Sequence, residues 1–407
     1  MPADGCFTPV APLMTMQAAL DLIDARIECG KGSEAIPLHD AAGRILAEDI
    51  TSERNVPPQN NAAVDGYAFA HDDLGHTALS VRGRAAPGEA QAMLVRGTAM
   101  RIFTGAVLPT GADTVAPQEL VHLVGDDAIL PDLPRGSNCR ARGEDIAAGD
   151  VALRAGTRVQ PQHLALAAAL GCATVEVRQR LRIALLSSGN ELRSPGLDLP
   201  PGAIFDANRP MLKALLHGLG VKTTDLGILP DEPGMILAAL EQAARDHDAV
   251  IASGGVSVGE TDHVRAAIEA LGELHVWRLA IRPGKPLALG RIGNCTFVGL
   301  PGNPVAAMVC FLRFARPLLL RLAGSGDVRP RLYRATADFA HSKRPGLREF
   351  LRGTLTADGK ARAFPRHGSA LITSLTESDG LIEIDEAVSE IRPGDPVDFL
   401  SYAEVMR

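Results

Sequence analysis

Aromatic side chains are scarce in this chain, 4% of residues with a single tryptophan, and Ala and Leu dominate the apolar set, so its cores have to be aliphatic. No apolar run approaches the ~20 residues that a spanning helix needs, and the start of the chain lacks the basic and apolar regions of a signal peptide. A membrane protein is therefore not expected. The cysteines, Cys6, Cys29, Cys139, Cys172, Cys295 and Cys310, are scattered without a CxxC pair, which speaks against both a zinc site and a disulfide scaffold. The expected compartment is the reducing cytoplasm. Positive charge is not in excess either: the formal net charge is −7, so a nucleic-acid partner is not expected. A phosphate-bearing substrate would have to be held by local cations.

What is present is length and alternation. At 407 residues the chain exceeds the roughly 250 to 300 over which a single core grows, so several domains are expected. Thr15 can cap a helix with apolar positions Met16, Leu20, Ile23 and Ile27, closed by Gly30 and Gly32. Residues 53–147 change to short apolar runs broken by Gly, Pro, Asn and Asp, such as Leu79–Val81 and Ala128–Leu130, which read as small β structure. A helical pattern returns through Leu166 and Leu170 and is expected to pack beside the N-terminal helix. That arrangement makes 1–52 and 148–178 one split helical and linking domain, with 53–147 inserted as a β-rich mixed domain.

Residues 179–327 alternate strand-like and helical runs: Ile183–Leu186, Met211–Leu219, Ile236–Ala244, Ala249–Ala252, Val264–Leu271. This predicts a three-layer α/β sandwich whose parallel-rich sheet is covered by helices on both faces. Asn208 ahead of Pro210, and Asn303 ahead of Pro304, read as helix starts with a capping side chain, and the last helix should bend near Pro317. Residues 328–407 revert to strands around an Asp358-Gly359 turn, which predicts a C-terminal β-barrel or sandwich.

The most suggestive local feature is SGGVSVGETD, running from Ser253 through Gly254, Gly255, Ser257 and Gly259 to Asp262, between a strand and a helix. In an open α/β sheet ligands bind there, and glycines let backbone N–H groups approach an anion. Taken alone, the loop is an anion cradle or a tight turn. Three further strand-to-helix junctions carry Glu191, Asp231, and Pro301 with Pro304. If these converge, Glu191, Asp231 and Asp262 repel one another unless a hard divalent cation such as Mg²⁺ neutralises them. Singly, each acid is a cap or a solvated side chain. Arg278, Arg282 and Lys285 lie where a strand runs into a Pro-Gly turn and could grip an oxyanion, or form a solvated basic turn. Asp65-Gly66, Thr104-Gly105 and the Gly143–Asp145 stretch read as turns.

In their order, NAAVDGYA, RIFTGAVLPTGADTV, RGEDIAAGD, SSGNEL, SGGVSVGETD, RPGKPLALG, GLPGNPV, REFLRG and HGSALITSL span nearly the whole chain. Together they resemble the molybdopterin molybdenumtransferase family, called MoeA in bacteria and the E domain in gephyrin. The resemblance implies a four-domain homodimer with its cleft between subunits. It also implies Mg²⁺, with molybdate and adenylylated molybdopterin as substrates, AMP and molybdenum cofactor as products, and a MogA-like molybdopterin adenylyltransferase as a partner. Carried over by motif, functional acids fall on Asp65, Asp145, Glu191, Asp231 and Asp262, with Thr104 beside them, and Mg²⁺ would sit on Asp231, Asp262 and Glu191. Oxyanion and substrate contacts fall on Arg278, Arg282, Lys285, Arg352 and Ser369, with Pro301 and Pro304 shaping a loop. The chain departs from the family's usual Ser, Thr, Asp and Lys at Ala62, Ser188, Asn190 and Arg282. Arg in place of Lys keeps charge but changes hydrogen-bonding geometry, which bears on anion preference. The resemblance leaves a nucleotide pyrophosphatase or adenylyltransferase, and a non-catalytic dimeric scaffold, as the other readings.

Overall fold

The computed structural model describes residues 13–75, 78–254 and 263–406. Thr15 Oγ1 accepts from Ala18 N at 3.2 Å and starts the helix Met16–Arg26. Its buried stripe, Met16, Ala19, Leu20 and Ile23, does not meet the helix Pro161–Ala169, as the sequence had led us to expect. It docks instead on the α/β core against the helix Arg316–Leu322, and Pro161–Ala169 packs in a separate core with Leu46, Val159, Val175 and Val177. The α/β core is the larger of the two apolar clusters, and docking there takes the four-residue stripe out of water.

Strand Ser33–Pro37 pairs antiparallel with Thr174–Arg178, and Ile50–Thr51 pairs with Val151–Leu153. Chain on either side of the intervening hundred-odd residues is thus stitched together. The stitching continues outward, with Ser52 N donating to Asp150 O at 2.9 Å and Val56 N to Ile146 O at 2.8 Å. Beyond it stands a six-stranded sheet whose strand Gly66–Phe69, next to one edge, alternates its side chains between two small cores, Ala68 with Ile102 and Val115 on one side, Tyr67 and Phe69 with Leu79 and Ala116 on the other.

The larger α/β sheet runs in the order Lys222–Leu229, Arg182–Ser188, Ala249–Ser253, Cys295–Leu300, Pro286–Ile292, Glu273–Arg278. Both faces are buried. Ile183, Leu185 and Ile251 face Leu212, Leu216 and Met308, whereas Ala184, Leu186 and Val250 face Ile236, Leu240 and Ile268. The first four strands are parallel, but the last two pairings are antiparallel, so Pro286–Ile292 alone runs against the rest. The cause is local: Ile292 opposes Cys295 across the two-residue turn Gly293-Asn294, too short for a crossover. The final helix widens into a π turn over Phe311–Ala315, where Arg316 N–H reaches back to Phe311 O, immediately before Pro317, which has no N–H to offer.

Five strands close the C-terminal barrel: Arg348–Leu355, Lys360–Ala363, Tyr333–Ala337, Pro396–Ser401 and Gly380–Ile384, the last pairing back to the first. Phe350, Leu381, Leu400 and Val405 belong to the same apolar core as the α/β helices, so barrel and sheet share an interior. The seam is also hydrogen-bonded. The two-residue strand Ile281–Arg282, leaving the α/β sheet, adds in parallel to Arg348–Glu349. A buried ion pair, Arg313 Nε to Glu383 Oε1 at 3.0 Å, crosses it.

Gly380 lies opposite Gly353 in the barrel, and a Cβ on Gly380 would stand 2.2 Å from Leu400 O. Only glycine permits that approach. We expect Gly380→Ala to lower stability by about 1–3 kcal/mol, read as a lower midpoint of urea unfolding; an unchanged midpoint would contradict the close approach.

Candidate active site

The candidate site is a cleft of about 1340 Å³ between the C-terminal ends of the parallel strands and the barrel. Another cleft, of about 950 Å³, opens at the opposite end of the sheet beside Arg182, Asp248 and Thr296. It is lined by none of the candidate catalytic or binding residues, and open α/β sheets bind ligands where their strands end. The barrel-side cleft is therefore the one considered.

The strand Arg182–Ser188 delivers the first loop. Ser188 Oγ donates to Asp231 Oδ1 at 2.7 Å and Asn190 N to Asp231 Oδ2 at 3.2 Å, while Asp231 N donates to Asn190 Oδ1 at 3.2 Å. Two positions that depart from the family's usual residues thus clasp Asp231. Asp231 is half-buried and not on the lining, whereas Glu191 is exposed on it. The next strand ends at Ser253 and Gly254. A Cβ at Gly254 would stand 2.7 Å from Ser188 O at a φ of +83°, so the two loops can lie together only with glycine there. Gly255, Ser257, Gly259 and Asp262 lie outside the described residues.

Asn208, expected to cap its helix, is instead the first helical residue and makes no cap bond. Its Nδ2 donates to Ser253 Oγ at 2.8 Å and to Gly302 O at 2.7 Å. Because a carbonyl only accepts, the orientation of the amide is fixed. Asn208 thereby ties the end of one strand to the loop carrying Pro301 and Pro304, both on the cleft wall. Asn303 caps backbone geometry only, with Pro304 in the first turn.

From the seam, Arg282 and Lys285 present exposed cations to the cleft. Arg282 NH1 donates to Glu349 Oε1 at 3.2 Å, and His341 Nε2 donates to Glu349 Oε2 at 2.7 Å. Glu349 is 3% exposed, so these two partners satisfy a buried carboxylate. His367 lies with its ring centroid 5.4 Å from that of His341. Arg352 is 4% exposed and spends its guanidinium on the protein: Nε to Ser374 Oγ at 2.9 Å, NH1 to Phe350 O, and NH2 to Arg366 O and Gly368 O. It holds the turn leading into Ser369, whose carbonyl also accepts from Val305 N at 3.1 Å. Burial lowers the pKa of Arg352.

The cleft gathers Glu191, Ser253, Gly254, Arg282, Lys285, Pro301, Pro304, Arg352 and Ser369. Arg278 is exposed at the end of its strand, outside the lining. Asp65 and Thr104 flank strands of the six-stranded sheet and Asp145 lies on the ladder, its N–H donating to Val56 O, and none of them lines this chain's cleft. Asp65 Oδ1 accepts from Thr104 N at 2.7 Å and from Thr104 Oγ1 at 2.8 Å.

The chain's segments also match known families. Residues 14–171 match the model described as "MoeA N-terminal region (domain I and II)", 184–321 "Probable molybdopterin binding domain", and 334–402 "MoeA C-terminal region (domain IV)". A molybdopterin molybdenumtransferase of Haemophilus influenzae is 37% identical over 394 residues, covering 95% of this chain and 98% of that one. The chain belongs to the molybdopterin molybdenumtransferase family.

A second molybdopterin molybdenumtransferase, from Synechococcus elongatus, is 32% identical over 406 residues and covers 96% of this chain and all of its own. The crystal structure of a molybdopterin biosynthesis MoeA protein from Pyrococcus horikoshii OT3 superposes with a TM-score of 0.79 at 28% identity, covering 96% of this chain and 100% of that one. In this member of the molybdenumtransferase family, Asn208, His341, Glu349 and His367 line the cleft although sequence reasoning had not placed them there. Asn208 left a signal as the polar residue opening a helix beside a proline, Glu349 and His367 stand within REFLRG and HGSALITSL, and His341 left none.

Two expectations follow from these contacts. Arg352→Ala should strand several buried acceptors and lower stability by about 1–3 kcal/mol, with faster amide exchange over 366–369; Arg352→Lys should not restore it, because an ammonium cannot span the fork's partners. The Asp65 carboxyl, held below its ordinary pKa first by the Thr104 N–H and then by the Thr104 hydroxyl, should titrate nearer its ordinary value in Thr104→Ala, measured by NMR. Since the folded-state pKa is depressed, its contribution to stability is present above the ordinary aspartate value of about 3.9 and is lost as pH falls through the folded value.

Proposed function

We infer that this chain inserts molybdenum into molybdopterin, taking molybdate and adenylylated molybdopterin and releasing AMP and molybdenum cofactor. The observation that carries the reading is the convergence of two exposed cations, Arg282 and Lys285, with the Ser369 turn and the ends of the parallel strands in one cleft. Arg282 and Lys285 hold the molybdate oxyanion through charge-assisted hydrogen bonds. Glu349 orients Arg282 from behind, and Arg352 sets the turn that brings Ser369 to the anion. The loops at Ser188–Glu191, Ser253–Gly254 and Pro301–Pro304 receive the pterin phosphate end, where AMP departs as oxygen from water or molybdate attacks phosphorus. Holding both substrates turns metal transfer into a reaction of positioned partners.

Mg²⁺ belongs to this reading. Among the described residues no three metal-binding side chains come together. Asp231 and Glu191, on neighbouring loops, instead fit the usual Mg²⁺ arrangement of one or two carboxylates completed by water and substrate phosphate. Held there by Asp231 and Glu191, the ion would offset charge on the phosphoanhydride. We assign Asp65, Thr104 and Asp145 to the cleft of a second copy in a homodimer. Their absence from the lining of this chain's own cleft supports that assignment. Cytoplasmic action fits scattered free cysteines and the absence, among the described residues, of any helix long and apolar enough to cross a membrane.

The test is AMP release and cofactor formation by the purified chain with Mg²⁺ and adenylylated molybdopterin, comparing molybdate, tungstate and no oxyanion. Molybdate-dependent formation is expected, and Arg282→Ala or Lys285→Ala should raise the half-saturating molybdate concentration about 10-fold to 100-fold, as loss of a charged hydrogen bond does. Formation of the adenylylated pterin from ATP, without molybdate, would assign the chain to adenylyl transfer instead.

A further inference from the structure

Resting on that function, bond accounting sets a requirement that none of the residues assigned above meets. When molybdate takes up the two sulfurs of a dithiol, two S–H bonds and one Mo–O bond break, two Mo–S bonds form, and the departing oxide becomes water. The double negative charge and the oxidation state of the metal are unchanged. Both protons must move from sulfur to oxygen, which calls for a group that gains and loses a proton near neutrality beside the oxyanion.

The cleft offers two histidines among the described residues, and their surroundings divide them. His341 has committed Nε2–H to Glu349 at 2.7 Å, since a carboxylate can only accept. His367 stands next to it, an exposed residue whose side chain makes no hydrogen bond among the described residues. It lies two residues before Ser369, on the turn that Arg352 holds, and shares its wall with Arg282 through His341 and Glu349.

We propose that His367 carries protons from the dithiol of the pterin substrate to the leaving oxide of molybdate, with Glu349 and His341 as the positioning pair that keeps Arg282 and His367 on one wall. The charged and titratable groups facing His367 are His341, Arg352, Glu349 and Arg282, and Lys285 is exposed in the same cleft. Partial burial, then His341, Arg352 and Arg282 disfavour its imidazolium, while Glu349 favours it, and the pKa falls below the ordinary histidine value. His367 is therefore neutral near pH 7 and takes a proton from sulfur before giving it to oxygen.

The experiment follows cofactor formation by the full chain with Mg²⁺, adenylylated molybdopterin and molybdate, from about pH 5 to about pH 9. The wild-type rate should rise as pH increases through a midpoint below about 6.5. His367→Gln and His367→Asn should each lower kcat about 100-fold, keep half-saturating molybdate within about twofold, lose the acidic limb, and recover in part with added imidazole. Variants with wild-type kcat, or with a loss confined to molybdate affinity and the limb retained, overturn the proposal. A wild-type chain that forms no cofactor overturns the proposed function as well, whereas an active wild type with unaffected variants overturns only the role of His367.

Discussion

Everything in the cleft depends on the short parallel pairing of Ile281–Arg282 with Arg348–Glu349. It is only two residues long, yet it lies above a continuous apolar core in which Phe350, Leu381 and Leu400 of the barrel meet Met308 and Leu312 of the helical layer. Burial of that surface holds the two bodies together, and the backbone pairing fixes their register. Arg282 consequently emerges at the seam beside a carboxylate that comes from the barrel. A sheet alone would supply anion-facing loops and a barrel alone would supply a wall; a closed grip needs the register between them.

Glu349 and Glu383 show two uses of a buried acid at the same seam. Glu383 pairs with Arg313 and Arg348, and burial nevertheless raises its pKa, so it joins layers at a cost in desolvation. Glu349 is equally buried, but its partners Arg282 and His341 both reach the cleft. The first fastens structure to structure. The second passes position outward to side chains that a ligand can touch.

Much of this architecture was legible because it is local. Alternation of Ile183, Leu185 and Ala184, Leu186 between two apolar layers follows from strand geometry, and the Asp358-Gly359 turn sets Leu355 opposite Ala361. The antiparallel edge was not expected, because hydrophobic runs look alike in either direction and the short turn at Gly293-Asn294 went unweighed. The partner of the first helix was misjudged, since an apolar stripe says that a surface exists and not which one it meets. Lys285, Arg282 and Ser369 stood in motifs and could be proposed from text; Glu349 and His367 stand in REFLRG and HGSALITSL, but only barrel closure brings them together with the isolated His341. Asn208 was read as a cap because capping is the commonest use of Asn beside a helix; its amide instead spans two loops distant in sequence.

The ladder that joins Ser52 to Asp150 and Val56 to Ile146 brings the chain back to within one hydrogen bond of where it left. Topologically, the six-stranded sheet is a bead on a closed loop: its internal length can grow or shrink without changing the register of any strand below the ladder. The two portions of the molecule can accordingly diverge at different rates, joined at the paired strands of the ladder.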